Sequence, residues 1–278
     1  MIDINGVKVT KVSEILYRLN YAIKQKQPFG LLRFGDGGIK LISAFFDKDY
    51  DQILDISKQE GIPIDFFKNI VEFWKTSANH CDYIDTLEVY FSDKFWNRTK
   101  SLKKKKMSEK TIKKLKKWKE LYEKVGIINT NYCNPEFNFL SCIVGRKSLP
   151  DLLVNKKICC ITSRSDLKEK LSKYDIDIIK VNGKNHNQYH FSFVNVIEKI
   201  NKNSEKYDLW LIAAGELGRI YTGLIKFKGG RAIDIGSVVD FWCTGYVPSR
   251  LQPYLKKTIH HPLKLILTKE GKEYSRFI

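Results

Sequence analysis

Three short stretches of this 278-residue chain combine glycines with charged side chains in a way that suits phosphate chemistry. The first is Arg33-Phe34-Gly35-Asp36-Gly37-Gly38. It follows an apolar run, Phe29 to Phe34, that reads as a strand. The glycines then read as a turn into a helix from Ile39 to Phe46. Arg33 offers a planar, bidentate grip on phosphate. Asp36 on such a turn faces a cleft, where it can hold a divalent ion beside a diphosphate. A second carboxylate two residues on would complete that pair, but Gly38 stands there. The plain alternative is a β-turn in which Asp36 bonds its own backbone, and spacing alone favours it.

The second stretch is Leu211-Ile212-Ala213-Ala214-Gly215-Glu216-Leu217-Gly218. A strand ends in small residues and a helix begins. A helix start has unpaired N–H groups and partial positive charge, which suits a phosphate. Gly215 lets a ligand approach the backbone, and Gly218 permits close helix packing. Glu216 falls in the first helical turn, where a carboxylate is stabilising with or without a chemical role. A tight turn serving packing alone fits these residues equally well.

The third stretch, Asp234-Ile235-Gly236-Ser237-Val238-Val239-Asp240-Phe241-Trp242, again follows a strand. Asp234 or Asp240 can bind a sugar hydroxyl or a metal, or act as a base. Ser237 can bond a phosphate, and Trp242 and Tyr246 can stack on a sugar or base. Ordinary capping, with the aromatics in the core, is the competing reading. His186 and His190, four apart in Asn185-His186-Asn187-Gln188-Tyr189-His190, have metal-ligand spacing on a helix. The neighbouring asparagines and Gly183 point to a loop instead, where His186 can contact a substrate phosphate or hydroxyl.

The elements that must position these residues alternate. Val12 to Gln25 reads as a helix, and Tyr50 to Ala78 as mostly helical with breaks at Gly61 and Pro63. Thr86 to Phe91 and Gly126 to Thr130 read as strands. Thr99 to Lys124 is an amphipathic helix with a lysine-rich outer face, including Lys103-Lys104-Lys105-Lys106. From residue 157 the pattern is regular. Lys157 to Thr162, Ile176 to Val181, Leu209 to Ala213 and Arg231 to Ile235 read as strands. Helices are expected over Ser165 to Lys173, Phe191 to Lys202 and Glu216 to Phe227. This alternation predicts an α/β fold: a Rossmann-like, mostly parallel sheet flanked by helices. One domain over 1–278 is expected, with a helical lysine-rich insertion at about 50–124 and a Rossmann-like half at 157–242.

The chain carries 49 basic and 31 acidic residues, a net charge of +18, which favours a polyanionic partner. The lysine-rich segment lacks interleaved aromatics and any zinc-finger, RNP or GxxG signature. A solvated helix or contact with an anionic membrane fits it better than a specific nucleic acid. The first residues lack the pattern of a signal peptide, and no apolar run reaches spanning length, so a soluble intracellular protein is expected. The six cysteines show no CxxC spacing and read as free buried thiols. Cys159 and Cys160, adjacent on a strand, should point to opposite faces.

Taken together, the three stretches resemble the bacterial GT-D fold glycosyltransferases. Arg33-Phe34-Gly35-Asp36-Gly37 is similar to that family's Arg-Phe-Gly-Asp-Gly-Glu element, with Gly38 in place of its glutamate. Leu211 to Gly218, followed by Gly230-Arg231-Ala232-Ile233-Asp234-Ile235-Gly236-Ser237, resembles its late block ending in Asp-Ile-Gly. The resemblance spans about Phe29 to Trp242. It implies transfer of a sugar from a nucleotide-sugar donor, usually a UDP-sugar, to a growing surface glycan. The basic surface, for its part, suggests a lipid-linked acceptor presented at the inner membrane face. Asp36 would then lie beside the donor diphosphate or its ion, Mn2+ or Mg2+. Gly215, Gly218 and Ser237 would line the nucleotide or acceptor side, and either Asp36 holds the ion with help from elsewhere or Arg33 neutralises the leaving diphosphate without metal. Gly35, Gly37, Glu216 and His186 stand beside them as donor-binding candidates read from their own stretches. Asp234, Asp240 and Glu216 are the carboxylates available as base. Two alternatives stand beside this reading: a non-catalytic nucleotide- or glycan-binding module, and a basic nucleic-acid-binding protein.

Overall fold

The computed structural model describes residues 2–4, 7–10, 12–85, 119–129, 131–133, 153–182, 189–236 and 238–244. Nine strands join in one sheet: β1 (Ile2–Ile4), β2 (Val7–Thr10), β3 (Phe29–Arg33), β4 (Tyr83–Asp85), β5 (Tyr132–Cys133), β6 (Lys157–Thr162), β7 (Asp175–Lys180), β8 (Leu209–Ala213) and β9 (Arg231–Asp234). Their spatial order is β1-β2-β5-β4-β3-β9-β8-β6-β7. The β1–β2 pair is antiparallel, and every other pairing among the described residues is parallel. The expected α/β architecture with a mostly parallel sheet is what the chain forms.

The helices are α1 (Val12–Lys24), α2 (Gly35–Asp47), α3 (Tyr50–Glu60), α4 (Ile64–His80), α5 (Leu167–Lys170), α6 (Val194–Asn203), α7 (Gly218–Phe227) and α8 (Val238–Thr244). A helical run over 119–125 lies between β4 and β5. Side chains alternate across a strand, so each buried strand feeds two cores. Cys159, Ile161, Trp210 and Ile212 point into one core with α2, α3, α4, α6 and α7. Ile158, Cys160, Leu209 and Leu211 point into the other with α1, α5 and α8. Cys159 and Cys160 do face opposite ways. The described cysteines whose side chains are placed, Cys81, Cys159, Cys160 and Cys243, are free thiols.

Three expectations need correction. Gly35 to Gly38 is the first turn of α2 and not a separate turn. Helix propensity matters least there, because the first N–H groups have no intrahelical partner in any case. Residues 126–129 form no strand. Gly126, at φ +78°, ends the preceding helical run. The Asn79 Oδ1 then accepts from the Ile128 and Asn129 amides at 2.9 and 3.3 Å, where a neighbouring strand would otherwise pair. The helix expected over Ser165 to Lys173 is only the single turn of α5. The strand expected over 86–91 and the lysine-rich stretch 99–118 lie outside the described residues.

Candidate active site

Because β3, β9, β8 and β6 run parallel, their carboxyl ends meet at one edge. The helices that follow them leave on alternating faces. α2 and α7 go to one core, α8 and α5 to the other. Crevices open at such an edge where neighbouring connections part, and ligands of open α/β sheets bind there. The three glycine-bearing stretches each pass this edge, at Gly35, Gly215 and Gly236.

Arg33 closes β3 and Asp234 closes the adjacent β9; both are buried. Burial pushes the Asp234 carboxyl above its ordinary value, opposed by the nearby guanidinium groups of Arg33 and Arg219 and by the Gly236 and Arg33 amides. The Gly236 amide donates to Asp234 Oδ1 at 3.1 Å. Gly236 adopts φ +51°, and a Cβ there would collide with Arg33 Nη1. The glycine of the Asp-Ile-Gly segment thus makes room for the arginine of the first stretch, from about 200 residues away.

Arg219, on the first turn of α7, is the hub of the site. Its Nε donates to the Arg33 carbonyl at 2.8 Å. Its two terminal nitrogens donate to the Phe34 carbonyl and to Glu216 Oε2. The guanidinium carbon lies 4.5 Å from the Trp74 ring centre and 5.6 Å from that of Phe34. Trp74 Nε1 in turn donates to the Glu216 carbonyl at 3.1 Å. A buried charge needs a partner and satisfied donors, and this set supplies both. Gly38 is part of it: a Cβ there would lie 3.0 Å from Arg219 Nη2 and 3.2 Å from Phe34 Cδ1. The guanidinium occupies the direction that a side chain at 38 would take.

Gly35, Asp36 and Gly37 lie in the first turn of α2, which has no side-chain cap; their side-chain environment is outside what the structure describes. Gly215, exposed at φ +54°, and Glu216 form a 3-10 turn ahead of Gly218, the buried first residue of α7. Asp240 lies apart on α8, near Arg164 and Asp166, which pair through two bonds of 3.1 and 2.8 Å after β6. Burial raises the Asp240 carboxyl, Arg164 opposes that, and Asp166 adds to it. Ser237 and His186 lie outside the described residues. Sequence reasoning missed Arg219, Trp74 and Arg164. Only Arg219 carried a signal, its spacing three residues after Glu216.

Among the described residues no three His, Cys, Asp or Glu side chains group to hold a metal. Glu216 and Asp234 both lie near guanidinium groups, so this part of the site does not suit a divalent cation.

No known family's sequence profile matches the chain, and no curated protein does. Among solved structures, the chain is similar to a selenomethionine-substituted domain of unknown function, DUF1792. The identity is 16%, over 86% of this chain and 82% of that one, with a TM-score of 0.49. It is similar at 15% identity to a structure described as a new glycosyltransferase (DUF1792) from Streptococcus sanguinis, over 86% of each chain, TM-score 0.47. A third, at 16% identity, 86% and 82% coverage and TM-score 0.46, is described as domain of unknown function 1792 with a distinct glycosyltransferase fold.

Proposed function

We propose that this chain is a glycosyltransferase that moves a sugar from a nucleotide-sugar donor, a UDP-sugar, to a surface glycan or lipid-linked acceptor. The observation that carries the reading is the direct joining of stretches far apart in sequence. Arg219 Nε bonds the Arg33 carbonyl at 2.8 Å, and Arg33 packs on Gly236 beside Asp234. Arg33, Glu216, Asp234 and Gly236, which carry part of the GT-D resemblance, thus lie together at the carboxyl edge of the parallel sheet.

The reaction requires stabilisation of the leaving nucleoside diphosphate as its charge develops. Arg33 and the uncapped first turn of α2 supply positive charge and N–H donors for this. The acceptor hydroxyl needs a base within reach. Glu216 is bound to Arg219 and Asp234 is buried, whereas Asp240 is exposed to an incoming hydroxyl. Of the three carboxylates Asp240 is the exposed one, and taking it as base requires the acceptor to enter from the α8 side of the carboxyl edge. A Mn2+ or Mg2+ ion at Asp36 would neutralise diphosphate charge; it would need ligands other than Glu216 and Asp234. The net charge of +18 suits an acceptor presented at an anionic membrane face on the cytoplasmic side. No helix among the described residues is long and apolar enough to cross a membrane.

The alternative is a non-catalytic nucleotide- or glycan-binding module, favoured by the guanidinium that fills the space at Gly38. Nucleoside diphosphate release from a panel of nucleotide sugars, with and without Mn2+, separates the two. Transferase activity predicts release that Asp36→Asn and Asp240→Asn abolish without unfolding the protein. Binding with no release under any condition supports the module instead.

A further inference from the structure

The Arg219 hub points past the ligand-bearing groups to what holds them. Its guanidinium bonds the carbonyls of Arg33 and Phe34, the last residue of β3 and the N-cap residue of α2. The strand-to-helix junction is therefore held from below by one side chain, which arrives from α7. That side chain is held by Glu216 on one side and by the Trp74 and Phe34 rings on others. It fits because position 38 has no Cβ, whose nearest neighbours would be Arg219 Nη2 at 3.0 Å and Cζ at 3.2 Å.

We propose that Arg219 is the positioning residue of the carboxyl edge around Arg33, and that Gly38 and Glu216 are a matched pair that seats it. Gly38 leaves the volume, and Glu216 supplies the carboxylate that the buried guanidinium bonds. A side chain at 38 displaces Arg219 and misplaces Arg33 and the first turn of α2, although it touches no ligand. The inference rests on the reading that Arg33 and the α2 turn meet a nucleoside diphosphate. Its pairing claim stands independently of that reading.

The test uses the full chain, with UDP as probe, and two readouts. The first is UDP affinity by calorimetry for the wild type, Gly38→Ala and Arg219→Lys. Misplacement predicts that affinity falls about ten-fold or more in both variants while they remain folded. Lysine keeps the charge but lacks the planar fork that reaches the Arg33 and Phe34 carbonyls and Glu216 together. Unchanged affinity in folded variants of lower Tm would reduce Arg219 to a structural role and overturn the positioning claim. The second readout is a stability cycle in Tm over Gly38→Glu, Glu216→Ala and the double variant. The seated guanidinium already fills the space at 38, so a glutamate there can reach it only where Glu216 gives way, and the double variant should be more stable than Gly38→Glu alone. Simple addition of the two losses would overturn the pairing. If the wild type binds no nucleoside diphosphate, the functional reading fails, and the cycle still decides the pairing.

Discussion

Replacing Arg219 by methionine tests whether the hub is the buried, paired charge described above. Arg219 is 5% exposed, and the Glu216 side chain that it pairs with is 10% exposed. Methionine keeps most of the stem volume, so the loss is one of charge and donors more than of packing. Truncating one member of a buried pair leaves the other without compensation, at a cost of about 3–5 kcal/mol. The Arg33 and Phe34 carbonyls also lose a donor, but these losses overlap with the first and are not added to it. At about 2–4 °C per kcal/mol for a chain of this class, Tm should fall by roughly 6–20 °C. The assay is thermal unfolding followed by circular dichroism between pH 4 and 8. Losing the Arg219 ion pair while staying buried should favour the protonated Glu216 carboxyl and raise it in the folded variant. Stability held by the protonated form is present at low pH and lost as pH rises through the raised value. The deficit relative to wild type should therefore widen with pH. Adding Glu216→Leu should recover part of it, since an apolar pair of similar volume avoids the desolvation cost. A deficit under about 1 kcal/mol, or one that pH does not change, would refute the buried-pair argument.

Three further outcomes follow from the same geometry. Gly223→Ala on α7 should destabilise by about 1–3 kcal/mol or more despite the better helix propensity of alanine. Its Cβ would lie 2.7 Å from the Ser77 Cα on α4, so two helices must part; urea denaturation reads the loss. Asp234→Asn should flatten the pH dependence of stability above pH 3.8, because the raised carboxyl loses native stability as pH rises through its folded value. Tm measured against pH for variant and wild type shows this as a difference that grows with pH. Arg33→Met should weaken UDP binding at least about ten-fold in a folded protein, as expected for loss of a charge-assisted contact, read by titration calorimetry.

Much of the architecture was legible because long buried strands announce themselves. Lys157–Thr162 and Leu209–Ala213 are apolar runs bounded by polar residues, and the alternation that separates Cys159 from Cys160 follows from strand geometry alone. The short strands were not legible. Ile2–Ile4, Tyr83–Asp85 and Tyr132–Cys133 are too brief for a period to show, and sheet pairing supplies their reason to extend. Gly35 to Gly38 reads as a turn by composition, yet it is helical, since Arg219 packs where a side chain at 38 would stand. The site was legible as three stretches but not as one cluster. Arg33, Asp234 and Gly236 are visible in sequence as separate candidates. Their joining depends on Arg219 and Trp74, whose burial is a tertiary fact. Residues 126–129 show the same override, where one asparagine side chain takes the place of a neighbouring strand.

The central claim, that the carboxyl edge around Arg33 and Asp234 receives a nucleotide-sugar donor, is tested most directly by thermal unfolding with nucleoside diphosphates, with and without Mn2+. A ligand that binds only the folded chain stabilises it by about 2.7 kcal/mol at a hundred times its Kd. UDP should raise Tm by roughly 5–10 °C at that excess, and Arg33→Met should remove the shift. No shift with any nucleoside diphosphate, or a shift that Arg33→Met leaves intact, would contradict the claim.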